Sequence, residues 1–161
     1  MGLRIRRIIA GSLLLALALM AAGCAGGGGS GGSGSSDPEL ASRGSIDVTA
    51  KLVEVPEGAI FDRPLYNYAT ILKYDVLEVH RGRVKGQTIY VAHYNPAKPR
   101  SQAADQRAPN VGGNLTAFRA GQVHRMALSM LKDFTGGILN KYSEEDTDPI
   151  YWAEWTNLVS D

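Results

Sequence analysis

His80, His93 and His124 are the side chains best suited to acid–base or metal chemistry in this 161-residue sequence. Neutral imidazole is a metal ligand and also a base near neutral pH. His80 and His93 lie in two runs, residues 68–80 and 87–94, that alternate as strands do. A hairpin turning about Arg83 and Val84 would set His80 opposite Gln87 and His93 opposite Tyr74. The two imidazoles would then be six residues apart along the ladder, roughly 20 Å at 3.3 Å per residue. Metal ligands sit about 2 Å from the ion, so that pair cannot share one. His93 and His124 are each in phase with apolar neighbours and could meet inside the fold. Separately hydrogen-bonded core or rim histidines are the plainer expectation. A two-histidine metal site, and with it a small His-dependent metal enzyme, is the alternative.

Other catalytic signatures are missing. No G-x-S-x-G elbow surrounds a serine. The poly-Gly tract follows no strand pattern and opens no helix, so it is not a phosphate loop. The sole cysteine, Cys24, lies near the N-terminus. The acidic run Glu144, Glu145, Asp146, Asp148 offers hard oxygen ligands but neither the spacing nor the glycine of a Ca²⁺ loop, and reads as a solvated loop. The expectation is a protein without catalytic residues, cofactor or dedicated metal.

Charge is more informative. Residues 37–79 carry four basic and eight acidic side chains, and residues 132–161 two against seven. Between them, residues 81–125 hold eight basic side chains against Asp105 alone. Arg81, Arg83 and Lys85 fall in a turn, whereas Lys98, Arg100, Arg107 and Arg119 fall in a long loop. Were both to converge at one end of the fold, they would form a cationic face for carboxylate or phosphate groups, with Tyr94 and Trp152 as stacking platforms. The alternative is an ordinary domain with solubilising arginines and core aromatics.

The elements that must position these residues are strands. Ile46, Val48, Ala50 and Leu52 alternate with Asp47, Thr49 and Lys51, the period of a half-buried strand; the apolar phase then slips to Val53 and Val55, as at a β-bulge. Residues 68–80 are apolar on both faces, as in a barrel wall. Residues 87–94, 123–131 and 150–159 complete five strands, and the proline-containing stretch 95–121 reads as a long loop with a short helical turn near 102–106. No segment offers a capped amphipathic helix of about ten residues.

Ahead of this domain, residues 1–7 carry three arginines and residues 8–22 are uncharged and apolar. That is the pattern of a secretory signal, too short for a comfortable membrane span. The run ends in Ala21-Ala22-Gly23-Cys24, which resembles the lipobox of bacterial lipoproteins. The resemblance implies cleavage before Cys24 and lipidation of its thiol. The cysteine is followed by Ala25 rather than an aspartate, which in that family implies the outer membrane, with the domain facing the periplasm of the cell envelope. Residues 25–36 are almost entirely Gly and Ser, a flexible tether with a root-mean-square span of about 19 Å. The expected organisation is a signal peptide over 1–23, a lipidated cysteine and linker over 24–36, and one domain over 37–161. Without the three leader arginines the mature chain carries a net charge of −2. That balance and the compartment exclude a nucleic-acid partner.

Within the domain, YDVLEVHRG, then VKGQTIYV, then FRAGQVHRMAL resembles the netrin-like, or tissue-inhibitor-of-metalloprotease-like, OB-fold family. The resemblance implies an all-β fold: a small OB-like, five-stranded, partly open barrel, here with a long basic loop. The expected function is a membrane-anchored, non-enzymatic binding module for an anionic polysaccharide or an envelope protein, acting through the basic loops 81–119. The alternative is an accessory or scaffold factor for cell-surface polysaccharide export or O-acetylation, because ATILKYDVLEVHRG and GQTIYVAHYNP are similar to segments of envelope proteins of that setting.

Overall fold

The computed structural model describes residues 37–62, 64–132 and 134–160. The expectations for the leader, for Cys24 and for the tether lie outside the described residues. The domain is almost entirely β. A five-residue helix, α1 (Pro38–Ser42), precedes β1 (Ile46–Glu54), β2 (Tyr68–Arg81), β3 (Thr88–Tyr94), β4 (Val123–Met130), β5 (Gly137–Leu139) and β6 (Ile150–Ser160).

Five strands close into a ring in the order β1–β2–β3–β6–β4, and β4 returns to β1. β3 and β6 run parallel and the other neighbours of the ring are antiparallel. This is a small OB-like barrel, closed rather than partly open because β1 pairs with both β2 and β4. Such closure removes the free strand edges that an open sheet would expose. The slip of phase in β1 is a real irregularity: Leu52 pairs with Tyr74 and Glu54 with Lys73, leaving Val53 over.

The period-two pattern fills the barrel. Ile46, Val48, Ala50, Leu52, Leu72, Tyr74, Ile89, Val91, Met126, Leu128, Tyr151 and Ala153 form one interior cluster. Each of its larger aliphatic side chains contributes about 2 kcal/mol through removal from water. The outer face of β2 and β3 is buried as well. Ala69, Ile71, Tyr90 and Ala92 pack with Tyr142 of the β4–β6 connection, and Tyr94 packs with Ala103, Ala108 and Val111 of the β3–β4 connection.

These connections do more than join strands. The β3–β4 connection runs along β6, where Gly112 N–H donates to the Glu154 carbonyl and Thr156 N–H to the Gly112 carbonyl. At Gly113, with φ of 135°, an added Cβ would lie 1.8 Å from the Thr156 carbonyl oxygen, so only glycine permits this approach. The β4–β6 connection lays β5 beside Tyr68–Thr70 in parallel. Three residues with two adjacent glycines carry no readable period, and the sequence points there only to a turn.

α1 is fastened by its first residue. Asp37 caps Glu39 N–H at 2.9 Å, and its other oxygen accepts from Trp155 Nε1 and from Asn157 Nδ2 of β6. Asp37→Ala removes the cap and both cross-links. We expect a loss of about 2 kcal/mol, read as a lower urea midpoint with an unchanged slope.

Every strand and every core side chain described above comes from residues 37–160. The described residues of this segment form a compact unit, so it carries a complete core.

Candidate functional site

The ring fixes which loops share a rim. β1, β3 and β6 begin where β2 and β4 end, and this near rim bears the β2–β3 turn. The far rim bears the β1–β2 connection and both ends of the β3–β4 connection. The basic turn and the basic loop therefore start from opposite ends of the barrel, and the single cationic face expected over residues 81–119 does not form.

The individual residues separate further. Arg81 turns inward to the α1 end, where it donates to the Ala41 carbonyl and, at 3.2 and 3.3 Å, to those of Leu40 and Gly44. Lys85 bonds the Asp148 carbonyl at 2.8 Å, and Arg83 is exposed on the same near rim. Lys98 lies over the Tyr66 ring, 4.5 Å from its centroid, on the far rim, where Arg119 is also exposed. Tyr94 is fully buried and donates to Asp105 Oδ2 at 2.7 Å. It is core rather than a stacking platform, because the β3–β4 connection covers the outer face of β3.

Arg100 corrects the sequence reading most sharply. Its side chain is 1% exposed, and Nη2 donates to the Tyr94 and Asn95 carbonyls at 2.7 Å each. The guanidinium carbon stands 5.4 Å from the Phe118 centroid. It forms no ion pair among the described residues, and burial pulls its pKa down to about 10. A charge count cannot separate this arginine from a surface one.

Two of the expected binding residues do meet. Arg107 and Trp152 line one cleft of about 260 Å³ on the outer wall, together with Asn110, Ser129, Lys132 and Glu154. Trp152 stacks at a tilt on Phe134, with centroids 5.0 Å apart. The carboxylates here are held by the protein. Glu154 accepts the Gly44 N–H at 3.1 Å, and Asp105 accepts from Tyr94 and from the Arg107 and Ala108 N–H groups. Arg107 and Lys132 are exposed, so both cations reach solvent, while the two carboxylates keep their own charge and Asp105 lies close enough to Arg107 to feel it. Lys132 was outside the sequence expectation, since it lies in a stretch whose net charge is acidic.

A second cleft, of about 250 Å³, opens on the far rim between the β1–β2 connection and the β3–β4 connection. Its walls include Val55, Ile60, Phe61 and Leu65, with Leu72 and Phe118 contributing from the barrel side. Periodicity gave no reason to single out these loop residues.

Beneath Phe118 the two interior histidines converge. The Tyr74 hydroxyl lies 3.1 Å from His93 Nε2 and 3.1 Å from His124 Nδ1. Phe118 meets both rings edge-on, at 4.6 Å and 5.6 Å between centroids. Partners assign the protons. Gln122 Oε1 accepts from the Arg119 N–H and so also accepts from His124 Nε2, at 3.2 Å. His124 Nδ1 is then bare and takes the Tyr74 proton, which leaves the Tyr74 oxygen to accept from His93 Nε2–H. His93 Nδ1 ends this chain as a buried lone pair without a hydrogen-bond partner. Burial, then the neighbouring Arg100 and His124, hold His93 well below its ordinary pKa. Burial brings His124 to about 4 and pushes Tyr74 well up.

The histidines therefore form a hydrogen-bonded core and not two separate ones. Their facing nitrogens are occupied by Tyr74, and no third His, Cys, Asp or Glu joins them as a metal-holding group among the described residues. His80 is remote from both and bonds Thr49 Oγ1 at 2.8 Å. The observed hairpin pairs His93 with Thr70 and Tyr74 with Ile89, four positions from the expected register. That shift is even, so every side chain keeps its face.

The chain matches no family model, no curated protein and no solved structure.

Proposed function

We propose that this chain is a lipid-anchored envelope protein whose barrel is a non-enzymatic binding module for an anionic polysaccharide. The observation that carries the reading is the outer-wall cleft, where Arg107 and Lys132 present positive charge beside Trp152, Asn110 and Ser129. Sugar rings need an aromatic face, hydrogen-bonding groups and, when acidic, a cation that reaches solvent. The cleft brings these together on one wall. A binder fits better than an enzyme because the coupled imidazoles are buried and their facing nitrogens are occupied by Tyr74. A lipid on Cys24 and a Gly/Ser tether would hold the domain close to the membrane, which suits a polymer of the envelope.

Affinity electrophoresis of residues 37–161 through polygalacturonate and through neutral dextran tests this. Retardation is expected in polygalacturonate alone, and it should fade at high salt. The Arg107→Glu/Lys132→Glu variant should bind about tenfold more weakly. The Arg83→Glu/Arg119→Glu variant changes net charge equally but away from the cleft, and should bind as wild type. Equal loss in both pairs would mean that only net charge matters and would overturn the site. No retardation of the wild type would overturn the polysaccharide reading itself.

A further inference from the structure

Arg100 poses an electrostatic question that the outer-wall cleft does not answer. A guanidinium taken out of water is costly unless an anion or a full set of acceptors meets it. Arg100 has two carbonyl acceptors on Nη2, while Nε–H is buried without a partner. The groups facing it are neutral: Tyr74, His93 and the ring of Phe118. No carboxylate pairs with it among the described residues, although an arginine usually becomes buried together with one.

The far-rim cleft lies on the other side of one side chain. Phe118 lines that cleft and packs against His93, His124 and the Arg100 guanidinium. Its ring is only half-buried, and Ala117, Arg119 and Ala120 around it are exposed. Among the described residues, no backbone–backbone hydrogen bond outside the strands and helices involves residues 116–118. Phe118 is therefore placed to turn aside without breaking a ladder, and its departure would join an apolar cleft to a buried, uncompensated cation.

We propose that this cleft, extended to Arg100 when Phe118 turns aside, is one binding site for a small amphiphilic carboxylate, its anionic head on Arg100 and its apolar body between Ile60, Phe61 and Leu65. Charge complementarity selects the head: a guanidinium recognises a carboxylate in its plane, and burial strengthens the pair. The aliphatic walls select the body. A neutral apolar molecule could fill the outer cleft but would gain nothing from Arg100. An apolar amine would bring a second cation towards the first and is disfavoured. This site is separate from the outer-wall cleft, and neither proposal depends on the other.

The test is calorimetric titration of residues 37–161 at pH 7.5 with octanoate, 1-octanol and octylamine, which share one apolar body. Octanoate is expected to bind at least tenfold more tightly than octanol, and octylamine not to bind. The Nε–H signal of Arg100, assigned in a ¹⁵N spectrum by its loss in Arg100→Lys, should move with octanoate and stay with octanol. The ligand comparison needs no substitution, so it holds even if Arg100→Lys folds poorly; magnetisation transfer from the C2 protons of octanoate, next to its carboxylate, to the Phe118 ring then locates the head. Absence of octanoate binding would overturn the proposal. Equal affinity for octanoate and octanol would do the same, as would selective binding that leaves both the Arg100 and the Phe118 signals unmoved.

Discussion

Tyr74→Phe is expected to destabilise the domain by about 4 kcal/mol, although it removes a single oxygen atom. The hydroxyl supplies a proton to His124 Nδ1 and accepts one from His93 Nε2, each at 3.1 Å. Without it, both imidazole nitrogens remain in the barrel interior with no partner, and water cannot reach them, since both side chains are 0% exposed. A buried donor or acceptor left unpaired costs about 1–3 kcal/mol, and this change strands one of each. Against a net stability of about 5–15 kcal/mol, such a loss is a large share of the whole. The measurement is urea unfolding of residues 37–161. Tyr66→Phe is the control, because Tyr66 is half exposed and its loss of a hydroxyl should change little. A cost below about 1 kcal/mol for Tyr74→Phe would mean that the two histidines are not held by this hydroxyl.

How much of this was legible beforehand depends on the distance over which the physics acts. Alternation is local, so the five barrel strands emerge from sequence almost to the residue, from Ile46–Glu54 to Ile150–Ser160. His93 and His124 also reveal themselves, because each keeps step with inward-facing neighbours such as Val91 and Met126. Tyr74 lies on the inner face as well, but its role depends on register. A turn placed at Arg83 and Val84 sets Tyr74 opposite His93, whereas in the observed register Tyr74 pairs with Ile89 and its hydroxyl lies between His93 of β3 and His124 of β4, a strand that is not its neighbour in the ring. That register follows from the length of β2, whose last residues run on past β3 to pair with β1 as far as Arg81.

The basic loop was misread for a different reason. Charge counting treats Lys98, Arg100 and Arg107 alike, and their fates are set by what covers β3. Because the β3–β4 connection folds back over Tyr94 and stitches onto β6 through Gly112, Arg100 ends inside and Arg107 outside. The apolar residues of the connection, Ala103, Ala108 and Val111, are too sparse to advertise this by period. The one local hint is in β3 itself. Its seven residues, TIYVAHY, are apolar or aromatic on both faces, so something had to cover the second face.

The histidine pair also sets the response to acid. Above about pH 6.5, folded and unfolded chains both hold these imidazoles neutral, and they add no pH dependence. As pH falls below that value the unfolded chain takes up protons, while His124 in the folded barrel stays neutral to about pH 4. Stability must therefore fall with pH, by about 1.4 kcal/mol per unit for each histidine held neutral. His124 alone accounts for roughly 3 kcal/mol lost by pH 4. His93, which lies beside the Arg100 cation and is held well below its ordinary pKa, adds to the slope over the same window. Folded-state carboxylates with lowered pKa values, such as Glu54 and Asp105, contribute mainly below about pH 4.5, so the interval from 6.5 to 4.5 isolates the imidazoles. In urea titrations across that interval the wild type should lose stability with a slope approaching two protons. His124→Asn keeps an acceptor oxygen for the Tyr74 hydroxyl but cannot be protonated, and should lower the slope by nearly one proton, with His80 present in both chains. A wild-type stability that is flat from pH 6.5 to 4.5 would show that the folded barrel admits the protons, and so that its interior is open to water at Tyr74.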